Sequence, residues 1–243
     1  KESGMPNANQ RIYEGKDIYR WEMRQYAGVN EVGKSLWYMD QDILDDAGNV
    51  VGVEKVTTDD STKATQYLLE KSALSDFTGG LNTSLRWKNL DLTIMANFQF
   101  GGYGYDYDYS MFASSNFPMN RLKSYTDAWN PETGKGSDPI WNTADANINA
   151  SSDRFLVSNT YFNLRNITLG YTFPSNWMSK IGIKSARIYF ACDNVFFASK
   201  RKGYDPRTSM GGQGVSVNST AVNVQGTYYS PIRTTSVGLN INF

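Results

Sequence analysis

The 243-residue chain contains no histidine and a single cysteine, Cys192. Without histidine, the usual catalytic base near neutral pH and the commonest metal ligand are both missing, so Ser/His/Asp, Cys/His and His-based zinc chemistry are excluded. One cysteine cannot close an internal disulfide. Net charge is zero, 24 Lys plus Arg against 24 Asp plus Glu, so the basic stripe that nucleic-acid binding needs is missing and no nucleic-acid partner is expected. No apolar run reaches the roughly 18 residues of a transmembrane helix, and mean hydropathy is −0.50. Membrane strands are not excluded by this, because their polar half hides them from hydropathy averaging. The first residues, Lys1-Glu2-Ser3-Gly4, carry neither an initiator Met nor a charged-then-apolar leader, so the chain is expected to be part of a longer product.

What the chain does have is aromatics, 14% of it with Tyr leading at 16, and alternation. From Ile232 to Phe243, apolar Val237, Leu239, Ile241 and Phe243 alternate with Thr234, Ser236, Gly238, Asn240 and Asn242. Side chains on a strand point to opposite sides with period two, so this strand has a greasy face and a wet face. The same pattern predicts strands near 77–88, 90–102, 158–173 and 184–198, with a weaker one near 16–26. Within 158–173, Phe162 and Leu164 fall on the opposite parity to Ile167, Leu169 and Tyr171. A β-bulge near Arg165 would restore one apolar face, since one extra residue shifts the pleat by one position.

The links between these strands alternate short and long, as do the periplasmic turns and outer loops of transmembrane barrels. The fold class is therefore all-β: strands of a large antiparallel transmembrane β-barrel with long extracellular loops, the C-terminus lying in the periplasm. Six strands are too few. Bacterial barrels start at about eight, and an open edge in hydrocarbon leaves backbone groups unsatisfied at several kcal/mol each. Other strands must complete the wall, which membrane lipid would surround.

Eight segments, in order along the chain, carry a resemblance. They are Tyr26-Ala27-Gly28-Val29, Lys71-Ser72-Ala73-Leu74 running into Phe77-Thr78-Gly79-Gly80, Asn97-Phe98-Gln99-Phe100-Gly101-Gly102, and Trp129-Asn130-Pro131-Glu132-Thr133-Gly134. The others are Ser152-Asp153-Arg154-Phe155-Leu156, Leu164-Arg165-Asn166-Ile167-Thr168-Leu169-Gly170-Tyr171, Asp193-Asn194-Val195-Phe196 and Lys202-Gly203-Tyr204-Asp205-Pro206. Together they resemble the C-terminal part of SusC-like, TonB-dependent outer-membrane transporters. The resemblance implies a barrel of roughly 22 strands with a plugged lumen. It implies a remaining N-terminal barrel and plug, in the same or a separate polypeptide, a SusD-like surface lipoprotein as lid, and TonB acting through the plug. It also implies import of a nutrient, a glycan or a peptide, with no bond broken and no cofactor. The terminal Phe243 resembles the signal read by the outer-membrane assembly machinery.

Candidate contacts for substrate or lid are Tyr103, Tyr105, Tyr107 and Tyr109, interleaved with Asp106 and Asp108, together with Trp129 and Trp141. Aromatic faces stack on sugars, and phenols and carboxylates bond hydroxyl groups. The competing expectation is an aromatic girdle at the membrane interface. Asp40, Asp42, Asp45 and Asp46 before Gly48 fail the calcium-loop spacing, with Leu44 where an oxygen ligand belongs, so a turn over Asp46-Ala47-Gly48-Asn49 is expected instead. Adjacent Asp59 and Asp60 lack the cross-cleft separation that glycoside hydrolysis needs. Cys192 alternates with Phe190 and Ile188 and is expected on the apolar face. Two rival functions also fit alternating strands: a soluble surface β-sandwich that binds glycans, and a structural outer-membrane barrel without transport.

Overall fold

The computed structural model describes residues 3–4, 10–106, 109–110, 113, 127–140, 145–200, 205–209 and 231–243. Within them the strands are β1 Ser3–Gly4, β2 Arg11–Ile12, β3 Arg20–Arg24, β4 Tyr26–Val29, β5 Ser35–Leu44, β6 Val50–Thr58 and β7 Gln66–Ser72. They continue with β8 Phe77–Trp87, β9 Leu90–Phe100, β10 Tyr103–Tyr105, β11 Leu156–Ser158, β12 Tyr161–Thr172, β13 Ser185–Ser199 and β14 Thr234–Asn242. No helix among the described residues is long and apolar enough to cross a membrane, which has no bearing on strands. The chain divides into two units, Lys1–Leu74 with Tyr103–Val157, and Ser75–Gly102 with Ser158–Phe243.

The second unit is built on a five-stranded sheet in the order β14-β13-β12-β9-β8, antiparallel throughout. Lys88-Asn89 turns β8 into β9, with Lys88 in the left-handed region at φ 52°. A link carrying the single-turn helix Ser175–Met178 joins β12 to β13. These short links lie at one end of the sheet and the long ones at the other, as the antiparallel order requires. The expected bulge is present: the register of β12 against both β9 and β13 shifts between Leu164 and Asn166, leaving Arg165 unpaired.

With that shift, apolar residues come into register across all five strands. Leu85, Leu92, Leu169, Phe190 and Val237 form one row, and Trp87, Leu90, Tyr171, Ile188 and Leu239 the next. This face is open, with Leu81 58% and Leu239 57% exposed. Alternation places Thr93, Asn97, Asn163, Thr168, Arg187, Ser236 and Asn240 on the opposite face.

The first unit contains the sheets β3-β7, β4-β5-β6 and β10-β11. Residues 16–26, where a weaker strand was expected, hold β3, which pairs with β7 rather than within the five-stranded sheet. The physical reason is burial: Met23, 1% exposed, packs with Leu69 and Leu156 in a small core flanked by Trp21, Tyr67 and Tyr105. The turn expected at Asp46–Asn49 closes the β5–β6 hairpin.

Candidate functional site

The polar face of the five-stranded sheet is tied together across strands. Asn163 Nδ2 donates to Asn97 Oδ1 at 2.7 Å, and Asn97 Nδ2 donates to the Tyr161 hydroxyl at 3.1 Å. Asn166 Nδ2 donates to Asp193 Oδ1 at 2.8 Å, and Asn166 Oδ1 accepts from the Thr168 hydroxyl at 3.0 Å. Nearer the short links, Arg187 on β13 grips both carboxylate oxygens of Asp91 on β9, although β12 runs between them. The intervening residue is Gly170. A Cβ there would stand 2.2 Å from Arg187 Nη2 and 2.6 Å from Asp91 Oδ1, so only glycine lets the pair close over the strand. A bidentate arginine–carboxylate pair is the strongest and most directional of such contacts, and here it braces three strands at once.

The apolar face has a layered composition. At the long-link end are Phe77, Phe98 and Phe100, with ring centroids 5.8 and 5.7 Å apart, joined by Phe162 and Phe196. The short-link end carries Trp87 and the Tyr171–Phe173 pair at 5.3 Å, with Phe243, 74% exposed, just beyond β14. Between them lie mostly aliphatic residues, with Phe190 and with Cys192, whose thiol sits opposite Ile167 on one side and Thr235 on the other. Aromatic ends around an aliphatic middle are the outward face of a strand wall in lipid, where amphipathic rings occupy the headgroup levels.

The candidate aromatics lie elsewhere, in the first unit. Tyr105 and Tyr109 stand edge-on to Phe155 at 5.9 and 5.3 Å, and Phe155 is fully buried. Burial raises the Tyr109 phenol above its ordinary value of 10.0. The Tyr103 carbonyl accepts from the Trp21 indole at 3.0 Å, and the Lys71 ammonium stands 5.4 Å from the Tyr103 ring centre. The half-buried Trp129 ring lies against Gly33. Tyr107 and Trp141 lie outside the described residues. The girdle at the long-link end is made by phenylalanines of the sheet rather than by Tyr103, Tyr105 or Tyr109.

A hub that sequence reasoning left without a role is Ser152–Leu156. Ser152 is 1% exposed and bridges to Arg24. Asp153 Oδ1 accepts from the Tyr26 backbone at 2.9 Å, Arg154 Nη2 donates to Asp138 Oδ1 at 2.6 Å, and Phe155 and Leu156 enter two adjacent cores. The compact mixture of polar and aromatic residues in that run was the available signal. Gly101 is similar: its φ of 75°, and the Asp76 carboxylate where a side chain would begin, explain a glycine at the end of β9. The Asp45 carboxylate has a local task, accepting from the backbone of Ala47 and Asn49 at 2.9 and 2.8 Å. Those hydrogen bonds, Asn49's foremost, hold it below the ordinary 3.8.

Two-faced antiparallel strands with a bulge-corrected apolar side and an ion-paired polar side define a wall segment of the transmembrane β-barrel class. Comparison with known proteins carries this further. The chain is 26% identical over 168 residues to TonB-dependent receptor P3 of Formosa agariphila, covering 69% of this chain and 16% of that protein. Against TonB-dependent receptor SusC of Bacteroides thetaiotaomicron it is 26% identical over 185 residues, 72% of this chain and 17% of that one. Its structure matches the RagAB peptide transporter at a TM-score of 0.66 and 25% identity, over 84% of this chain and 22% of the other. The open-open state of the RagAB peptide importer matches over 100% of this chain and 24% of the other, at TM-score 0.72 and 22% identity, which speaks to fold alone. No family model matches. The chain is thus a homologue of SusC-like TonB-dependent receptors and spans less than a fifth of the length of those relatives.

Proposed function

We propose that this chain forms part of the barrel wall and the outer loops of an outer-membrane importer driven by TonB. The observation that carries the reading is the continuous apolar face of β8, β9, β12, β13 and β14, aromatic at both ends and backed by a polar, ion-paired face. The wall strands occupy 77–88, 90–102, 158–173, 184–198 and 231–243, at the C-terminal end of the barrel. The short links face the periplasm and the long ones the outside, which puts Phe243 in the periplasm as the assembly signal. The outer loops supply the surface for substrate and for a SusD-like lipoprotein lid, with Tyr103, Tyr105, Tyr107, Tyr109, Trp129 and Trp141 as its candidate contacts. The rest of the barrel and the plug complete the structure, and TonB acts on the plug.

The cargo is a nutrient polymer, a glycan or a peptide; the likeness to a peptide transporter supports the second. Uptake of labelled oligopeptides and oligosaccharides by cells carrying the complete protein tests the reading. Loss of uptake on disrupting TonB is expected, to the level of cells lacking the protein. Uptake that continues undiminished without TonB would remove the reading, as would recovery of the protein in aqueous buffer without detergent.

A further inference from the structure

The last apolar row before the short links is Trp87, Leu90, Tyr171, Ile188 and Leu239. Two exposed lysines stand just past it on the same side. The Lys88 ammonium lies 5.1 Å from the centre of the Trp87 ring, which brings it to the apolar face. The Lys184 backbone donates to the Asn242 carbonyl at 2.9 Å and carries the β13–β14 ladder one residue further, so its side chain takes the side of Ala186 and Ile188. Between the two lysines, at the end of β12, the rings of Tyr171 and Phe173 stand edge to face at 5.3 Å. Both lysines and Phe173 line a cleft of about 410 Å³, together with Asn89, Ser175 and Asn176, and no carboxylate lines it. Neither lysine forms a salt bridge among the described residues. Arg86 also borders the cleft but belongs to the polar face, in register with Asp91.

Cations at the edge of an apolar face meet an anion that is itself attached to hydrocarbon. The strands β9 and β13 are two spacings apart, about 10 Å, a gap that lysine side chains reaching in from both sides close around one phosphate. Acyl chains attached to that phosphate run along the apolar face over Tyr171 and Ile188, and the amides and hydroxyl of Asn89, Asn176 and Ser175 suit the oxygens of a glycerol headgroup. A separate observation points the same way. The β12–β13 link leaves Trp177 57% and Ile181 65% exposed on either side of Lys180, and aromatic, aliphatic and lysine side chains so mixed belong at headgroup level. Two ammonium groups around one phosphate leave positive charge in excess, which disfavours a headgroup carrying its own cation. On the reading that the five strands are a membrane wall with its short links at the periplasmic side, we infer that Lys88 and Lys184, with the rings of Tyr171 and Phe173 between them, form a binding site for a net-anionic phospholipid of the inner leaflet.

Phosphatidylglycerol titrated onto the delipidated complete protein in detergent, with bound lipids counted by native mass spectrometry, tests this. A lysine beside anionic lipid contributes about fivefold, so Lys88→Gln with Lys184→Gln should weaken the tightest phosphatidylglycerol binding roughly 30-fold. Lys88→Arg with Lys184→Arg should retain it. Arg86→Gln, on the opposite face, should lower it less than either lysine change alone. Phosphatidylcholine, the same phosphate with a compensating cation, should bind the parent more weakly and be indifferent to the two lysines. Salt at about 1 M, where the screening length falls to about 3 Å, should release phosphatidylglycerol. Equal affinity in the parent and the double glutamine variant overturns the inference, as does a loss at Arg86 as large as at the lysines. Displacement of the lipid by inorganic phosphate at equal concentration would mark a free-phosphate site and overturns it too. Recovery of the protein without detergent would remove the membrane reading itself; a detergent-requiring protein whose lipid binding ignores both lysines removes this inference alone.

Discussion

Replacing Ile94 with arginine places a charge near the middle of the apolar face, where its neighbours across the sheet are Thr83 and Ile167. An antiparallel strand rises about 3.4 Å per residue, and a tilt of about 45° reduces this to about 2.4 Å along the membrane normal. The ten steps from Leu90 to Phe100 on β9 then span about 24 Å, close to the roughly 25 Å apolar band of a transmembrane barrel. Ile94 is four steps, about 10 Å, above the short-link boundary, which puts it within about 3 Å of the midplane. Arginine there should cost about 3 kcal/mol, roughly a hundredfold in the folding equilibrium. Phe100→Arg, at the edge of the band, should cost about 0–1 kcal/mol from its charge. Thr93→Arg, on the polar face, should fall within about 0.5 kcal/mol of the parent. The assay is urea-dependent refolding of the complete protein into phospholipid vesicles. Depth dependence is the discriminating result, because charging the buried face of a β-sandwich would also be costly. Equal losses at Ile94 and Phe100, or a loss at Thr93 as large as at Ile94, would refute the reasoning.

Gly170→Val should open the Asp91–Arg187 pair and lower refolding stability by about 1–3 kcal/mol, with part of the loss recovered when Arg187→Gln removes the obstructing side chain. Phe155→Ala should cost the loop unit about 3–5 kcal/mol by emptying the site under Tyr105 and Tyr109, seen as faster proteolysis at 103–157 with the wall strands still protected. The Tyr67 phenol is pushed up from 10.0 to about 12, first by burial and then by donating to Asp40 at 2.6 Å. Its proton is held more tightly in the folded than in the unfolded chain, so the stabilisation is fully present below pH 10 and is lost as pH rises through about 12. Tyr67→Phe should remove a phenol titrating at about 12 from an ultraviolet pH series and flatten the loss of stability over that window.

The wall was legible because period-two alternation survives wherever one face meets a uniform apolar surround. Even the bulge at Arg165 could be read, since the parity change between Leu164 and Ile167 has no cheaper explanation than one extra residue. The pairing of 16–26 was not legible. Trp21 and Met23 alternate as a lipid-facing strand would, and only the long-range contact of Met23 with Leu69 and Leu156 turns that face into a core. Likewise Tyr103, Tyr105 and Tyr109 look like a binding surface in sequence. The packing partner of Tyr105 and Tyr109, Phe155, lies some fifty residues along the chain, beyond any local pattern. Arg187 and Asp91 could each be placed on the polar face by parity. That they meet across β12 depends on strand order and on the missing side chain of Gly170, neither of which alternation encodes.

Cys192 offers the most direct test of the membrane wall. It is the chain's single cysteine, on the apolar face between Ile167 and Thr235, while its neighbour Ala191 lies on the polar face between Thr168 and Ser236. A nitroxide attached at Cys192 of the complete protein in lipid vesicles, with any cysteine outside this stretch replaced, should relax strongly with dissolved oxygen and weakly with a water-soluble nickel chelate. A nitroxide moved to Ala191→Cys, with Cys192→Ser, should show a larger nickel response relative to oxygen. A label at Cys192 that responds to the nickel chelate as strongly as one at 191, or that is shielded from both reagents, would contradict a wall whose apolar face meets lipid.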